Sequence, residues 1–113
     1  MGPTRTHTGT NRRRHPRADL GRQVQFYGNN RLSMALVEDI SEGGLSLRGV
    51  RDLRPGDSVK LFVRLPMPRG VRDKLCLLLG KVVWQRTEMA GIEFLDPPLE
   101  SLLEVRGFVR SAA

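Results

Sequence analysis

A cluster of arginines near the start of the chain has the residue types and spacing that could bind a phosphate-bearing ligand. Arg12, Arg13 and Arg14 are consecutive, and Arg17 follows Arg13 by four positions. Each guanidinium presents a planar fork of donors that matches a phosphate group or the O6/N7 edge of guanine. Taken alone, the cluster fits equally well an unstructured basic tail or an arm that binds DNA without sequence preference.

The segment Asp39–Gly44 is a second candidate for ligand binding. In an extended chain Asp39 and Ser41 point to the same face, while Ile40 between them points into the core. A carboxylate accepts hydrogen bonds from guanine N–H groups, and a hydroxyl serves a phosphate or a base. The two glycines that end the segment would allow positive φ and a sharp turn. The simpler interpretation is an ordinary hairpin turn whose polar side chains bond to nearby amides.

The formal charge of +7 is concentrated near the start of the chain. Residues 1–22 contain six arginines and Asp19, which gives 6 − 1 = +5, whereas the other 91 residues contain 13 basic and 11 acidic groups, or +2. Sixteen of the 19 basic residues are arginine. This distribution favours an anionic partner, contacted from an N-terminal arm.

The residue types needed for catalysis are poorly represented. His7 and His15 both lie in or before the arginine cluster, so no Ser-His or Cys-His pair and no metal-ligand cluster is evident. We therefore expect a protein without enzymatic activity, metal or cofactor. The single cysteine, Cys76, lies in an apolar run and reads as a buried thiol. Together with the absence of a signal peptide or membrane span, it predicts a cytoplasmic protein without membrane insertion.

The dominant periodicity along the chain is two, which predicts strands. Gly28 and the two asparagines after it read as a turn between the first two strands. Residues 75–86 are apolar on both faces around Leu77–Leu79, so we expect the middle of that strand to be covered on both sides. The six predicted strands lie around Val24 and Phe26, and at residues 31–39, 45–48, 58–65, 75–86 and 90–95.

The end of the chain changes to a helical period. Leu99, Leu102, Leu103 and Arg106 fall at helical spacing, and Gly107 predicts that the helix is short. Consecutive short strands imply antiparallel pairing, and closure into a barrel removes exposed edges. We therefore expect an all-β fold: a six-stranded antiparallel β-barrel with a C-terminal α-helix and a flexible basic N-terminal arm. Residues 1–11 form the predicted tail, and residues 12–110 the domain.

The two polar clusters, taken in order, resemble a known family. Arg-x-x-x-Arg at Arg13–Arg17, followed by Asp-x-Ser-x-x-Gly at Asp39–Gly44, is similar to the PilZ domain family of cyclic di-GMP receptors. Gly80–Trp84 looks like the late core strand of that family, Gly91–Phe94 like its next strand, and Leu99–Arg110 like its closing helix. The likeness covers about residues 12–110.

The resemblance implies a six-stranded barrel and roles for individual residues. Arg13 and Arg17 would bind guanine edges and phosphates, and Asp39 and Ser41 would contact a guanine and nearby groups. Gly44, with Gly43 before it, would shape the turn.

Two further residues are candidates for ligand contact. Arg12, just before the motif, would stack on a second ligand molecule and favour an intercalated cyclic di-GMP dimer. Trp84 would stack on an exposed guanine, although a lone tryptophan in a strand more often packs in the core.

Three functions follow from these expectations. The first is a cyclic di-GMP-binding effector that changes the conformation of its arm on ligand binding and passes the signal to a protein partner. The second is a small basic nucleic-acid-binding barrel, which the charge supports and the low aromatic content of 5% opposes. The third is a protein-interaction module that binds no nucleotide.

Overall fold

Six strands form in the computed structural model of the chain, which describes residues 16–66 and 72–112. In chain order the elements are β1 (Ala18–Gly28), β2 (Arg31–Ile40), β3 (Gly44–Arg48), β4 (Ser58–Leu65), β5 (Lys74–Arg86), β6 (Met89–Phe94) and α1 (Leu99–Ala112). The predicted tail at residues 1–11, the arm residues 12–15 and the segment 67–71 lie outside the described part.

The strands close into a barrel in the order β1-β2-β3-β6-β5-β4, with every neighbouring pair antiparallel. The β1–β2 connection is the predicted turn, in which Asn29 and Asn30 have φ of 53° and 62°. Two consecutive residues with positive φ are typical of the tight turns that match strand twist, and asparagine tolerates them well. The prediction of a closed six-stranded antiparallel barrel with a C-terminal helix is therefore confirmed.

Alternate residues of each strand fill the interior of the barrel. Val37, Leu47, Leu61, Val63 and Leu78 are fully buried there. Burying one such side chain contributes roughly 1.5–3 kcal/mol. On β2 the inward residues are Ala35, Val37 and Ile40, whereas Leu32 and Met34 lie on the outer surface.

The expectation that the middle of β5 is covered on both faces is wrong for the described residues. Cys76 and Leu78 are buried inside the barrel, whereas Leu75, Leu77 and Leu79 remain 56%, 47% and 49% exposed. The wall of a closed barrel has one inner and one outer face, and no described element lies over the outer face at these leucines.

The expectation of a short terminal helix is also wrong, because α1 continues through Gly107 for 14 residues. A helical glycine costs about 1 kcal/mol relative to alanine. Val105 and Val109, on either side of Gly107, are buried against the barrel and offset that cost. The helix packs against β1, β4 and β5.

Candidate functional site

The start of β1, the end of β2 and β3 bring three polar side chains together. Asp39 is paired with Asp19 of β1 on one side and with Ser46 of β3 on the other. Arg17, one residue before β1, donates a hydrogen bond from Nη2 to Asp39 Oδ1 at 2.7 Å. The same nitrogen lies 3.4 Å from Ser46 Oγ. A predicted arginine of the arm and the predicted aspartate of the turn segment therefore meet on the outer barrel wall.

The Arg17–Asp39 pair is accessible to solvent. Its side chains are 30% and 31% exposed. An ion pair in this environment is weak, because water screens the charges and competes for the same hydrogen-bonding groups. Each side chain can therefore release the other and bind a ligand that offers an acceptor to Arg17 and donors to Asp39.

Asp39 also begins a row of residues that continues around the barrel wall. The pairing runs from Asp39 of β2 to Ser46 of β3, then to Gly91 of β6 and Trp84 of β5. Neighbouring strands are about 4.8 Å apart, so the row extends for roughly 14 Å. Ser46 and Gly91 were not among the predicted site residues, because their placement beside Asp39 and Trp84 depends on strand order.

Trp84 is half-buried at the far end of this row. Its indole ring lies so close to Gly91 that a Cβ at that position would overlap the indole nitrogen and its ring neighbours. The glycine thus makes room for the ring on the outer wall. Trp84 therefore packs on the outer wall and is not in the core, where a lone tryptophan was expected, and its ring lies in the same row as Asp39.

Ser41 has a different environment from Asp39. It is 2% exposed, and its Oγ accepts a hydrogen bond from the Gly43 amide at 3.2 Å and lies 3.4 Å from the Gly44 carbonyl oxygen. The Ser41 amide donates to the same carbonyl at 2.8 Å. These bonds are those of a serine that stabilises its own turn. The structure therefore places Ser41 within the turn and does not bring it to the side of Asp39 that faces Arg17.

The two glycines of the segment do not supply the positive φ that we expected. In the described residues, glycines with positive φ are Gly21, Gly49 and Gly56, and that expectation is wrong for Gly43 and Gly44. Gly44 is required for a different reason, since a Cβ there would overlap the carbonyl oxygen of Ile92 on β6. The carbonyl of Gly43 accepts from the Phe94 amide at 2.9 Å, which ties the turn to β6.

The turn is also tied to the terminal helix. Arg106 donates from Nε and Nη2 to Glu42 Oε1 at 3.1 and 3.0 Å. These hydrogen bonds, together with the negative charge of Glu42, raise the pKa of Arg106. The two residues are 64 positions apart, and no local pattern in the sequence signals their contact.

Arg12 and Arg13, the other arginines predicted to bind the ligand, lie outside the described residues. Within residues 16–66 and 72–112 no three His, Cys, Asp or Glu side chains are placed to hold a metal ion. The described helix is not a candidate for a membrane span.

Comparison with models of known families tests the resemblance to PilZ domains that the two motifs suggested. A family model described as the PilZ domain matches residues 11–111, which include both the arginine cluster and the turn. The chain belongs to the PilZ domain family. A comparison with curated proteins found no sequence that matches this chain.

Solved structures share the fold of this PilZ domain. The PilZ domain of CeSA from a cellulose-synthesizing bacterium aligns with a TM-score of 0.65 and 14% identity, over 84% of this chain and 95% of that one. MotI/DgrA, an inhibitor of motility from Bacillus subtilis, has a TM-score of 0.65 and 16% identity, over 89% of this chain and 49% of that one. PlzA of Borreliella burgdorferi, in complex with c-di-GMP, has a TM-score of 0.63 and 17% identity, over 92% of this chain and 43% of that one. This chain thus spans less than half of the length of the last two.

Proposed function

We propose that this PilZ domain is a receptor for cyclic di-GMP and that Arg17 and Asp39 are its central ligand contacts. The observation that carries the proposal is the 2.7 Å contact between these two residues, beside Ser46 on the barrel wall. Membership in the PilZ family and the complex of the Borreliella PlzA protein with c-di-GMP support the choice of ligand.

The chemistry of the pair matches that of the ligand. A guanine presents acceptors at O6 and N7, and donors at N1–H and N2–H₂, while the phosphates carry negative charge. Arg17 would exchange the Asp39 carboxylate for a phosphate or the O6/N7 edge, and Asp39 would accept from the N–H edge. Both exchanges replace one charge-assisted contact with another, so neither charge is left without a partner.

The remaining arm arginines extend this proposal. Arg13 would supply a second guanidinium for the same ligand, and Arg12 would stack on a second cyclic di-GMP molecule intercalated with the first. Calorimetry should then give two ligands per protein for the wild type and one for Arg12→Leu. A ratio of one for both proteins would contradict the role of Arg12.

The function that we propose is binding and signalling in the cytoplasm, without catalysis. The ligand would join the arm to the barrel wall, and the surface altered in this way would engage or release a protein partner. The nucleic-acid-binding alternative has less support, because Phe26 and Phe94 are buried in the core and Trp84 packs on Gly91. Stacking on single strands requires several exposed aromatic side chains, and among the described residues Tyr27 is the one aromatic residue that is exposed.

Calorimetric titration with cyclic di-GMP tests the proposal directly. We expect Arg17→Ala and Asp39→Ala each to weaken binding by at least about tenfold, because each removes a charge-assisted hydrogen bond. Arg54→Ala is the matched control, since Arg54 is exposed and forms no side-chain ion pair in the described residues. Absence of binding by the wild type would refute the function. Unchanged affinity of both site variants would refute the site.

A further inference from the structure

The outer surface of the barrel carries a group of apolar side chains on four adjacent strands, interleaved with a few polar ones, which we call the apolar face. β5 contributes a line of leucines at alternate positions, each about half exposed. The neighbouring strand β4 adds the half-buried Phe62, the next strand β1 adds the exposed Tyr27, and β2 adds two more exposed apolar side chains. The members of the apolar face are Tyr27, Leu32, Met34, Phe62, Leu75, Leu77 and Leu79.

Strand pairing shows that these side chains are neighbours. Leu77 of β5 is directly opposite Phe62 of β4. In the next row, Leu79 is opposite Lys60, Lys60 is opposite Tyr27, and Tyr27 is opposite Leu32. Directly opposite residues on one face have Cβ atoms about 4.5–5.5 Å apart. An exposed apolar surface that extends over four adjacent strands is typical of a binding surface.

Two cations of this surface, Lys60 and Arg64, have no carboxylate partner among the described residues, whereas Asp73 before Leu75 is paired with Arg22, and Glu93 lies opposite Lys81. β4 and β5 contain no carboxylate, but they carry Lys60 and Arg64 on the same outer surface and Lys81 two residues beyond Leu79. Lys60 lies between Tyr27 and Leu79, and Arg64 is opposite Leu75. In the part of the chain that the structure describes, Lys60 and Arg64 form no ion pair. Other exposed arginines of the barrel, such as Arg31 and Arg48, are paired with carboxylates.

We propose that the apolar face docks an amphipathic helix of a partner protein, whose apolar stripe is bordered by aspartate and glutamate. The three leucines of β5 span about 13 Å, which corresponds to two to three helical turns. Glutamates beside the stripe would pair with Lys60 and Arg64. The inference rests on the proposed function, because it identifies the surface through which the receptor meets its protein partner.

Other occupants of the apolar face are less favourable. A second copy of the chain would bring cations against cations in a two-fold interface, where the same surface faces itself. Residues 1–15 carry four arginines and no acidic group, so that segment would be repelled. A bilayer would have to accept Lys60 and Arg64, which are interleaved with the apolar side chains and would be drawn toward the hydrocarbon.

The apolar face is separate from the ligand site. The Asp39 row crosses β2, β3, β6 and the late part of β5 at Trp84, whereas the apolar face lies on β1, β4, the early part of β5 and the early part of β2. Substitutions in the apolar face should therefore leave the contacts of Arg17 and Asp39 unchanged.

A designed peptide tests the inference. The probe is a fluorescent helical peptide with leucines at positions i, i+3, i+4 and i+7 and glutamates beside them, measured by anisotropy. The comparison peptide has lysine in place of each glutamate. We expect the acidic peptide to bind the wild type and the lysine peptide to bind at least about tenfold more weakly. Absence of acidic-peptide binding, or equal binding of the two, would overturn the proposal.

Variants locate the binding on the chain. Leu77→Ser with Leu79→Ser should weaken acidic-peptide binding at least about tenfold. Leu103→Ser, at a leucine of α1 that is exposed to a similar extent, should not. Lys60→Glu with Arg64→Glu should reverse the preference in favour of the lysine peptide. Unchanged binding to the leucine variant, or an unchanged preference in the charge variant, would contradict the docking site.

Two measurements identify a different occupant, and either would overturn the proposal. The first is a dimer in sedimentation velocity that the leucine variant loses. The second is co-sedimentation with phosphatidylglycerol vesicles that the same variant loses. Cyclic di-GMP calorimetry separates the two hypotheses, since the leucine variant should bind the nucleotide like the wild type. Peptide binding without nucleotide binding would refute the proposed receptor function and leave the docking site standing.

Discussion

Arg17 donates a hydrogen bond to Asp39 at 2.7 Å, so two residues that the sequence marked separately as ligand contacts neutralise one another. Among the described residues of the site, the cation Arg17 is therefore already paired. In the proposed function, a nucleotide displaces the carboxylate from Arg17 and provides donors for that carboxylate. A guanine nucleotide satisfies both conditions, whereas inorganic phosphate satisfies only the first.

The Arg17–Asp39 pair should contribute little to folding. Because both side chains are about one-third exposed, we expect Arg17→Ala and Asp39→Ala each to lower the free energy of unfolding by less than about 1 kcal/mol. Urea denaturation of the two variants measures this. A much larger loss would show that the pair stabilises the fold. A loss of ligand affinity in these variants would then be explained by unfolding and not by a missing ligand contact.

Two glycines should respond in opposite directions to alanine. Gly44→Ala places a methyl group against the Ile92 carbonyl and should lower the free energy of unfolding by about 3 kcal/mol. Gly107→Ala meets open space within a helix and should raise it by about 0.5–1 kcal/mol. Thermal unfolding measures both, and each kcal/mol corresponds to about 4–8 °C in a domain of this size. A neutral Gly44→Ala would contradict the close approach of β3 to β6.

Cys76 should make stability fall at alkaline pH. Burial, reinforced by the charge of Glu104, raises the pKa of its thiol from 9.0 to about 11. Below pH 9.0 the thiol is neutral in both states, so the stability is fully present. Between pH 9.0 and about 11 the unfolded chain releases the proton while the folded chain retains it, and the free energy of unfolding falls by up to about 3 kcal/mol.

Comparison with Cys76→Ala isolates this effect from the other alkaline titrations. Urea unfolding of both proteins at pH 8 and pH 10.5 should show a steeper loss for the wild type. Parallel losses would contradict the assignment to Cys76. Native Cys76 should also react slowly with iodoacetamide at pH 8, since the thiolate is the reactive form.

The Glu42–Arg106 contact should transmit the state of the turn to α1. Arg106→Gln removes the charge that holds Glu42, whereas Arg110→Gln changes an exposed arginine one turn later and serves as the control. We expect cyclic di-GMP to change amide exchange in α1 in the wild type and in the control, and to change it less in Arg106→Gln. Equal changes in all three proteins would show that the helix responds by another route.

Much of the fold followed from the sequence because its signals are local. Alternation in residues 58–65 and the asparagine pair at the first turn each depend on a few neighbouring residues, and both predictions were confirmed. The outer position of Leu77 and Leu79 could not be predicted, because an apolar run does not show which of its faces a closed barrel covers.

The candidate site was predictable in part for the same reason. Asp39 was found from a motif, but its neighbours Ser46 and Gly91 are set by the order of strands in the barrel. Gly44 was predicted to be needed for a turn with positive φ, but it is needed because β3 lies close to β6. Local sequence does not indicate such a close approach between two strands. The Glu42–Arg106 contact is equally non-local, because it joins a turn to a distant helix.

One measurement tests the central claim most directly: titration of the ¹⁵N-labelled protein with cyclic di-GMP, followed by amide chemical shifts. The account predicts that the largest changes fall on the amides of Arg17, Asp39–Gly44, Ser46 and Gly91, with little change at Leu75–Leu79. Changes centred on the apolar face, or no changes at saturating nucleotide, would contradict it.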